Sequence, residues 1–203
     1  FMLNVGPDGS GCIPEPAQRS LRSAGEWIAR YPQVVYGTGA SPWKHAMPWG
    51  DAITDGNKMY LAVYEWPRNG ELWLPGLETS VQSARLLDNA ANPALNWNRS
   101  GTWMKIETPY QRPDPMVSVI ELTFSEPPIA DPTLSVDPEC GLTASVQFAE
   151  VREGELTKHV WREKFGEWKH AYRVTDWQPE TAVAWTVDIP DPGSYHIFLD
   201  YSG

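Results

Sequence analysis

The chain has 203 residues, room for one large domain or two small ones, and its 41% hydrophobic and 21% charged residues place it with globular proteins, outside disordered and fibrous compositions. Sixteen Lys and Arg against 26 Asp and Glu leave a formal charge of −10, a field that repels phosphate backbones and anionic headgroups and so argues against nucleic-acid and membrane partners. No apolar run approaches the roughly 20 residues of a membrane-spanning helix. Eleven Trp, 8 Tyr and 5 Phe, punctuated by 19 Pro and 16 Gly, predict a β-rich protein and point toward sugar chemistry.

The opening Met2-Leu3-Asn4-Val5 reads as the end of a buried strand, and Tyr201-Ser202-Gly203 lies one step past another, so the chain is expected to be a segment of a longer protein. Gly6-Pro7-Asp8-Gly9-Ser10-Gly11 reads as a loop. A helix follows it: Pro14 and Pro16 suit a first turn, and Ala17, Leu21, Ala24, Ile28 and Tyr31 form an apolar stripe that Pro32 ends. From about Tyr36 the period changes to two. Residues 58–66 are apolar on both faces, as in a central strand, and Pro67-Arg68-Asn69-Gly70 is expected to turn them back as a hairpin onto residues 71–74. Further strands are predicted at 81–87, 102–107 and 116–124, together making an antiparallel sandwich or small barrel.

Residues 125–138 hold Pro127, Pro128, Pro132 and Pro138 and read as an extended linker. A second β-rich unit is expected beyond it, with strands at 146–151, 183–189 and 195–201, too few to close a sandwich. The fold class is therefore mostly β.

Cys12 and Cys140 match no zinc or CxxC spacing and read as packed thiols. His45, His159, His170 and His196 are scattered without a second ligand, so neither a metal nor another cofactor is expected. Asp8, Asp51, Asp55 and Asp191 stand near Gly or Pro, where the side chain serves turn bonds. Trp27, Trp66, Trp73 and Trp185 read as core, and Trp43 and Trp49 as either interdomain packing or a sugar platform. Trp161, Trp168 and Trp177, set among charges, are the candidates for stacking on a pyranose ring. Asn98-Arg99-Ser100 has the form of a glycosylation acceptor.

The run from Met2 to Pro14 (MLNVGPDGSGCIP), followed by Gly25-Glu26-Trp27-Ile28 and Val35-Tyr36-Gly37-Thr38, resembles the end of the catalytic barrel of α-L-fucosidases, glycoside hydrolase family 29. Ser41-Pro42-Trp43, Pro48-Trp49-Gly50 and Tyr64-Glu65-Trp66-Pro67 are similar to the strand region that follows it, so the resemblance reaches about residue 124. It implies four parts: residues 1–35 as the last βα unit of a TIM-like barrel, residues 36–124 as an antiparallel β-sandwich, residues 125–138 as linker, and residues 139–203 as a truncated β-sandwich-like module. It also implies retaining hydrolysis of terminal α-L-fucose by an Asp and a Glu on earlier strands, outside these 203 residues, so no residue here is expected to be catalytic. Asn4 and Asp8 would then line the substrate pocket's rim, the partner being a fucosylated glycan or other carbohydrate. Extracellular or periplasmic location is an expectation of the resemblance alone. The competing reading is a non-catalytic carbohydrate-binding or structural β-sandwich module.

Overall fold

A computed structural model describes residues 5–87, 91–162, 168–190, 192–199 and 201, with the backbone alone at Trp168. Helix α1 (Glu15–Arg30) begins behind Pro14, carries Glu15 in its first turn and Arg30 in its last, and closes with the Tyr31 N–H donating to the Trp27 carbonyl. A short α2 (Pro32–Val35) follows. The predicted stripe exists, but no residue of α1 itself is buried: Ala17, Leu21, Ala24 and Ile28 are half-buried. Tyr31, the last residue of the stripe, is 3% exposed in a cluster with Val34, Tyr60, Leu87 and Val119, against which Trp27 leans.

Seven strands make two facing sheets. They are β1 (Gly50–Asp55), β2 (Lys58–Val63), β3 (Glu71–Leu74), β4 (Val81–Leu87), β5 (Trp97–Ser100), β6 (Trp103–Glu107) and β7 (Ser118–Phe124). One sheet runs β1-β2-β7-β4 and the other β3-β6-β5, with every pairing antiparallel. Met59, Leu61 and Val63 of β2 and Ile120, Leu122 and Phe124 of β7 point into the core between the sheets. Tyr60 and Val119 point the other way, to the C-terminal end of α1. The larger sheet is thus covered on both faces, which explains why 58–63 lacks polar alternation.

The hairpin expected between residues 58–66 and 71–74 does not form. β2 and β3 lie in different sheets, and Pro67-Arg68-Asn69-Gly70 carries the chain across. Both edges of β2 are already taken, by β1 and β7, and Tyr64 and Glu65 leave the sheet with their N–H groups on the Trp49 carbonyl at 2.8 and 3.1 Å. Buried Pro67 has no N–H to extend a ladder. The hairpin partner of β2 is β1, through Gly56-Asn57 with Gly56 at φ +54°. Strands β1 and β5 lay outside the sequence reading because their polar residues mask the alternation.

Residues 125–138 are extended but not free. The Thr79 hydroxyl accepts from the Ile129 N–H at 2.9 Å and donates to the Pro127 carbonyl at 3.3 Å, and Glu78 and Asp131 add backbone bonds to Ile129 and Gly76. Ala130, Leu134 and Ser135 are buried. Here β8 (Leu134–Ser135) pairs in parallel with a strand near residue 187.

Beyond residue 145 a 3₁₀ turn (Val146–Phe148) leads to β9 (Glu150–Arg152), β10 (Glu155–Arg162), β11 (Trp168–Thr175), β12 (Ala182–Ala184) and β13 (Val187–Asp188), the partner of β8. Only parts of the strands expected at 146–151 and 183–189 are present. The described residues of 195–201 form no strand, leaving Ile197 92% and Phe198 90% exposed. The hairpin of β10 and β11 went unread because it is solvated on both faces, so no period-two contrast marks it.

Two predictions test this packing. A Cβ at Gly50 would stand 2.0 Å from the Ala62 carbonyl oxygen, with φ +152°. Gly50→Ala is therefore expected to destabilise the fold by about 1–3 kcal/mol in denaturant titration. The half-buried His45 has an Nδ1 without a hydrogen-bond partner among the described residues and lies edge-on to Phe148 at 6.1 Å, and burial pushes its pKa below 6.5. The unfolded chain then binds the extra proton, so stability is lost as pH falls below about 6.5. His45→Phe should flatten that part of the melting-temperature profile.

Candidate functional site

The loop over residues 6–12 is organised by one carboxylate. Asp8 Oδ1 accepts from the Ser10 N–H at 2.9 Å, the Ser10 hydroxyl at 2.6 Å and the Cys12 N–H at 3.0 Å. The Asp8 N–H returns a bond to the Cys12 carbonyl, and Gly11 takes φ +83° to close the turn. The Ser10 hydroxyl, then the Ser10 and Cys12 amides, hold the exposed Asp8 carboxyl below its ordinary range. This geometry matches the turn role read from the sequence. Asn4 lies outside the described residues.

The aromatic candidates do not converge on one cavity. Trp161 on β10 is 36% exposed and stacks on His159, with centroids 5.4 Å apart and planes 26° apart. Trp177 is 61% exposed, and its indole N–H donates to the Val174 carbonyl at 3.0 Å. Trp168 opens β11 opposite Arg162, its side chain lying outside the described residues. Trp43 and Trp49 belong to the sandwich core, with indole N–H groups on the Pro75 and Trp73 carbonyls at 2.9 and 3.1 Å. Neither offers a platform. Trp185, expected in the core, is half-buried and bonds the Ser145 carbonyl. Asp51, expected in a turn, lies on β1 and accepts from the Tyr64 hydroxyl at 2.8 Å; partial burial, then this bond, raises the Tyr64 pKa to about 12.

Cys12 and Cys140 are exposed free thiols rather than packed ones, because both fall in Asp-capped turns at the surface. One polar cleft, of about 290 Å³, was not legible in the sequence. Asp188 accepts there from the Trp103 indole at 2.8 Å and the Thr102 hydroxyl at 3.4 Å, while Asp131 accepts from the Thr133 N–H and hydroxyl at 2.8 and 2.6 Å. The Trp103–Asp188 bond spans 85 residues, a separation that local pattern cannot signal.

An antiparallel sandwich with one helix against its outer face is an architecture that this chain shares with glycosidases. The similarity is specifically to α-L-fucosidases. α-L-Fucosidase isoenzyme 1 from Paenibacillus thiaminolyticus superposes with a TM-score of 0.54 at 31% identity, over 61% of this chain and 30% of that one. The α-L-fucosidase of Vibrio sp. strain EJY3 superposes with a TM-score of 0.58 over 86% of this chain and 40% of that one, at 17% identity, a likeness of fold alone. A curated α-L-fucosidase from Dictyostelium discoideum is 33% identical over 78 residues, 36% of this chain and 16% of that protein. No family model matches the chain. The chain spans less than half the length of each of these relatives, and the resemblance read from its motifs holds over about 60% of it.

If Asp8 is the staple of its loop, Asp8→Ala should abolish amide-exchange protection at Ser10 and Cys12 while leaving the β2 and β7 amides unchanged. In the unaltered chain the same protection should survive at pH 7 and fade only as pH drops through the depressed Asp8 pKa, beneath the usual 3.8.

Proposed function

We propose that the chain is the C-terminal part of an α-L-fucosidase-like retaining glycoside hydrolase that acts on terminal α-L-fucose. The observation that carries this reading is the P. thiaminolyticus match, in which 31% identity and the sandwich fold coincide over 61% of the chain. In this reading residues 1–35 are the last βα unit of a barrel. The docking of α1 supports it: the C-terminal end of the helix packs on the sandwich, and Ala17, Leu21 and Ala24 form a half-buried stripe of the kind that a barrel strand covers. Residues 36–124 are the accessory sandwich, residues 125–138 a stitched connection, and residues 139–203 a further β-rich module. The extent of the Vibrio match, 86% of the chain, favours a module there.

The chemistry belongs to carboxylates outside these 203 residues. A retaining mechanism needs two, about 5–5.5 Å apart, one attacking the anomeric carbon to form a covalent glycosyl-enzyme and the other giving and then taking the leaving-group proton. Asn4 and Asp8 would border the sugar at the mouth of that last βα loop. Asp8 would do so by holding the loop in shape with Oδ1. A non-catalytic carbohydrate-binding role is the second reading, favoured by the exposure of Trp161 and Trp177.

The test compares the chain, the same chain extended by its natural upstream sequence, and buffer in one aryl α-L-fucoside assay. The extended protein should turn over substrate and the 203-residue chain should stay at the buffer rate, since losing the reacting groups of a hydrolase costs several orders of magnitude. A chain that hydrolyses the fucoside alone, and stops when Asp8 becomes Ala, would refute the assignment of catalysis to upstream residues.

A further inference from the structure

A second cleft, of about 260 Å³, lies between the crossing from β2 to β3 and the turn at residues 137–141, away from the Asp8 loop and the aromatic hairpin. Half-buried Trp66 gives it an apolar wall, backed by buried Trp49, Pro67 and Leu72. Both indole N–H groups are already committed, Trp66 to the Pro109 carbonyl at 2.7 Å and Trp49 to the Trp73 carbonyl. These residues therefore present hydrocarbon rather than donors.

The rim is polar and tied across the opening. The Arg68 N–H donates to Glu139 Oε1 at 3.1 Å, joining the two sides, and Asp137 Oδ1 folds the far turn by accepting from the Glu139 and Cys140 N–H groups at 2.9 and 2.8 Å. Glu71 is engaged by Lys105 Nζ at 2.6 Å. Two rim groups remain. Among the described residues neither the Glu65 carboxylate nor the Arg68 guanidinium has a hydrogen-bonded or ion-paired side-chain partner, and both residues are exposed. An open acceptor and an open donor thus stand beside an apolar wall. Partial burial in the cleft, followed by Asp137, Glu139 and Glu65, pushes the thiol of the surface residue Cys140 up.

A neutral pyranose meets those three demands together, with an apolar CH face for the wall and adjacent hydroxyls that donate to a carboxylate and accept from a guanidinium. The surrounding carboxylates oppose phosphate, sulfate and uronate groups. The volume, below the roughly 300 Å³ at which drug-sized pockets begin, limits the occupant to about one ring. We propose that this cleft is a binding subsite for a single neutral sugar ring, with Trp66 as its wall and Glu65 and Arg68 as its hydroxyl contacts. The proposal does not depend on the hydrolase reading.

Cys140 lines the cleft and reports on it. In a Cys12→Ser background, the rate of Cys140 modification by a thiol reagent is measured with methyl glycosides of L-fucose, D-galactose and D-glucose, and with sodium glucuronate. At least one neutral glycoside should slow labelling by about threefold or more at concentrations a few times a millimolar Kd, and glucuronate should not. Arg68→Ala and Glu65→Gln, both exposed positions whose melting temperatures should not move, should each raise the apparent Kd by about tenfold. Trp177→Ala should leave it unchanged. No protection by any glycoside, equal protection by glucuronate, or protection that survives both rim variants would overturn the proposal.

Discussion

A single buried carboxylate holds the helix and the sandwich together. Asp114 is 3% exposed, and its charge is matched by Arg30 at the C-terminal end of α1, 2.9 Å from Oδ2. Its Oδ1 accepts from the Met116 N–H at 2.8 Å and the Val117 N–H at 3.3 Å, and its own N–H donates to the Ser118 hydroxyl. One side chain therefore shapes the turn into β7 and anchors α1. A buried charge that loses its partner is costly, so neither role can be given up alone. Val117 reinforces the arrangement by offering its carbonyl to the Trp27 indole at 2.8 Å.

The rest of the sandwich follows from where β7 then lies. Pairing with β2 on one side and β4 on the other, it fixes the register of both, and a slip of one residue would turn Ile120, Leu122 and Phe124 out of the core. The Lys58–Glu121 ion pair, at 2.9 Å, marks the same register at the sheet surface. The helix covers the outer face of these central strands, so what reads in sequence as an undivided apolar run is two half-cores sharing one sheet.

Elements whose signal is local were legible: α1 from its prolines and apolar stripe, β4 to the residue, and β6 and β7 to within two at their first residue. What failed was partnership. The turn at 67–70 has hairpin composition, yet its flanking strands belong to opposite sheets, because β2 had already spent both edges on β1 and β7. The hairpin of β10 and β11 carries Lys158 over the Tyr172 ring and His170 beside it, contacts that stabilise without leaving an apolar alternation to read. The turn role of Asp8 was legible because its partners, Ser10 and Cys12, lie within four residues of it. The sugar-sized cleft was not, since Glu65 and Arg68 meet Asp137 and Glu139 only after folding.

The strip laid along residues 76–79 has a further effect. Bonded through Ile129 and Asp131 to Glu78 and Gly76, it occupies backbone groups that would otherwise lie open in the segment leaving β3. Its outward chemistry is unhelpful to a newcomer: Pro127, Pro128 and Pro132 have no N–H to offer, so a strand from another molecule meets gaps where a ladder would need donors. Prolines that look in the sequence like loose tether act in the fold as a selvedge, the finished border that keeps the segment behind β3 from taking on another thread.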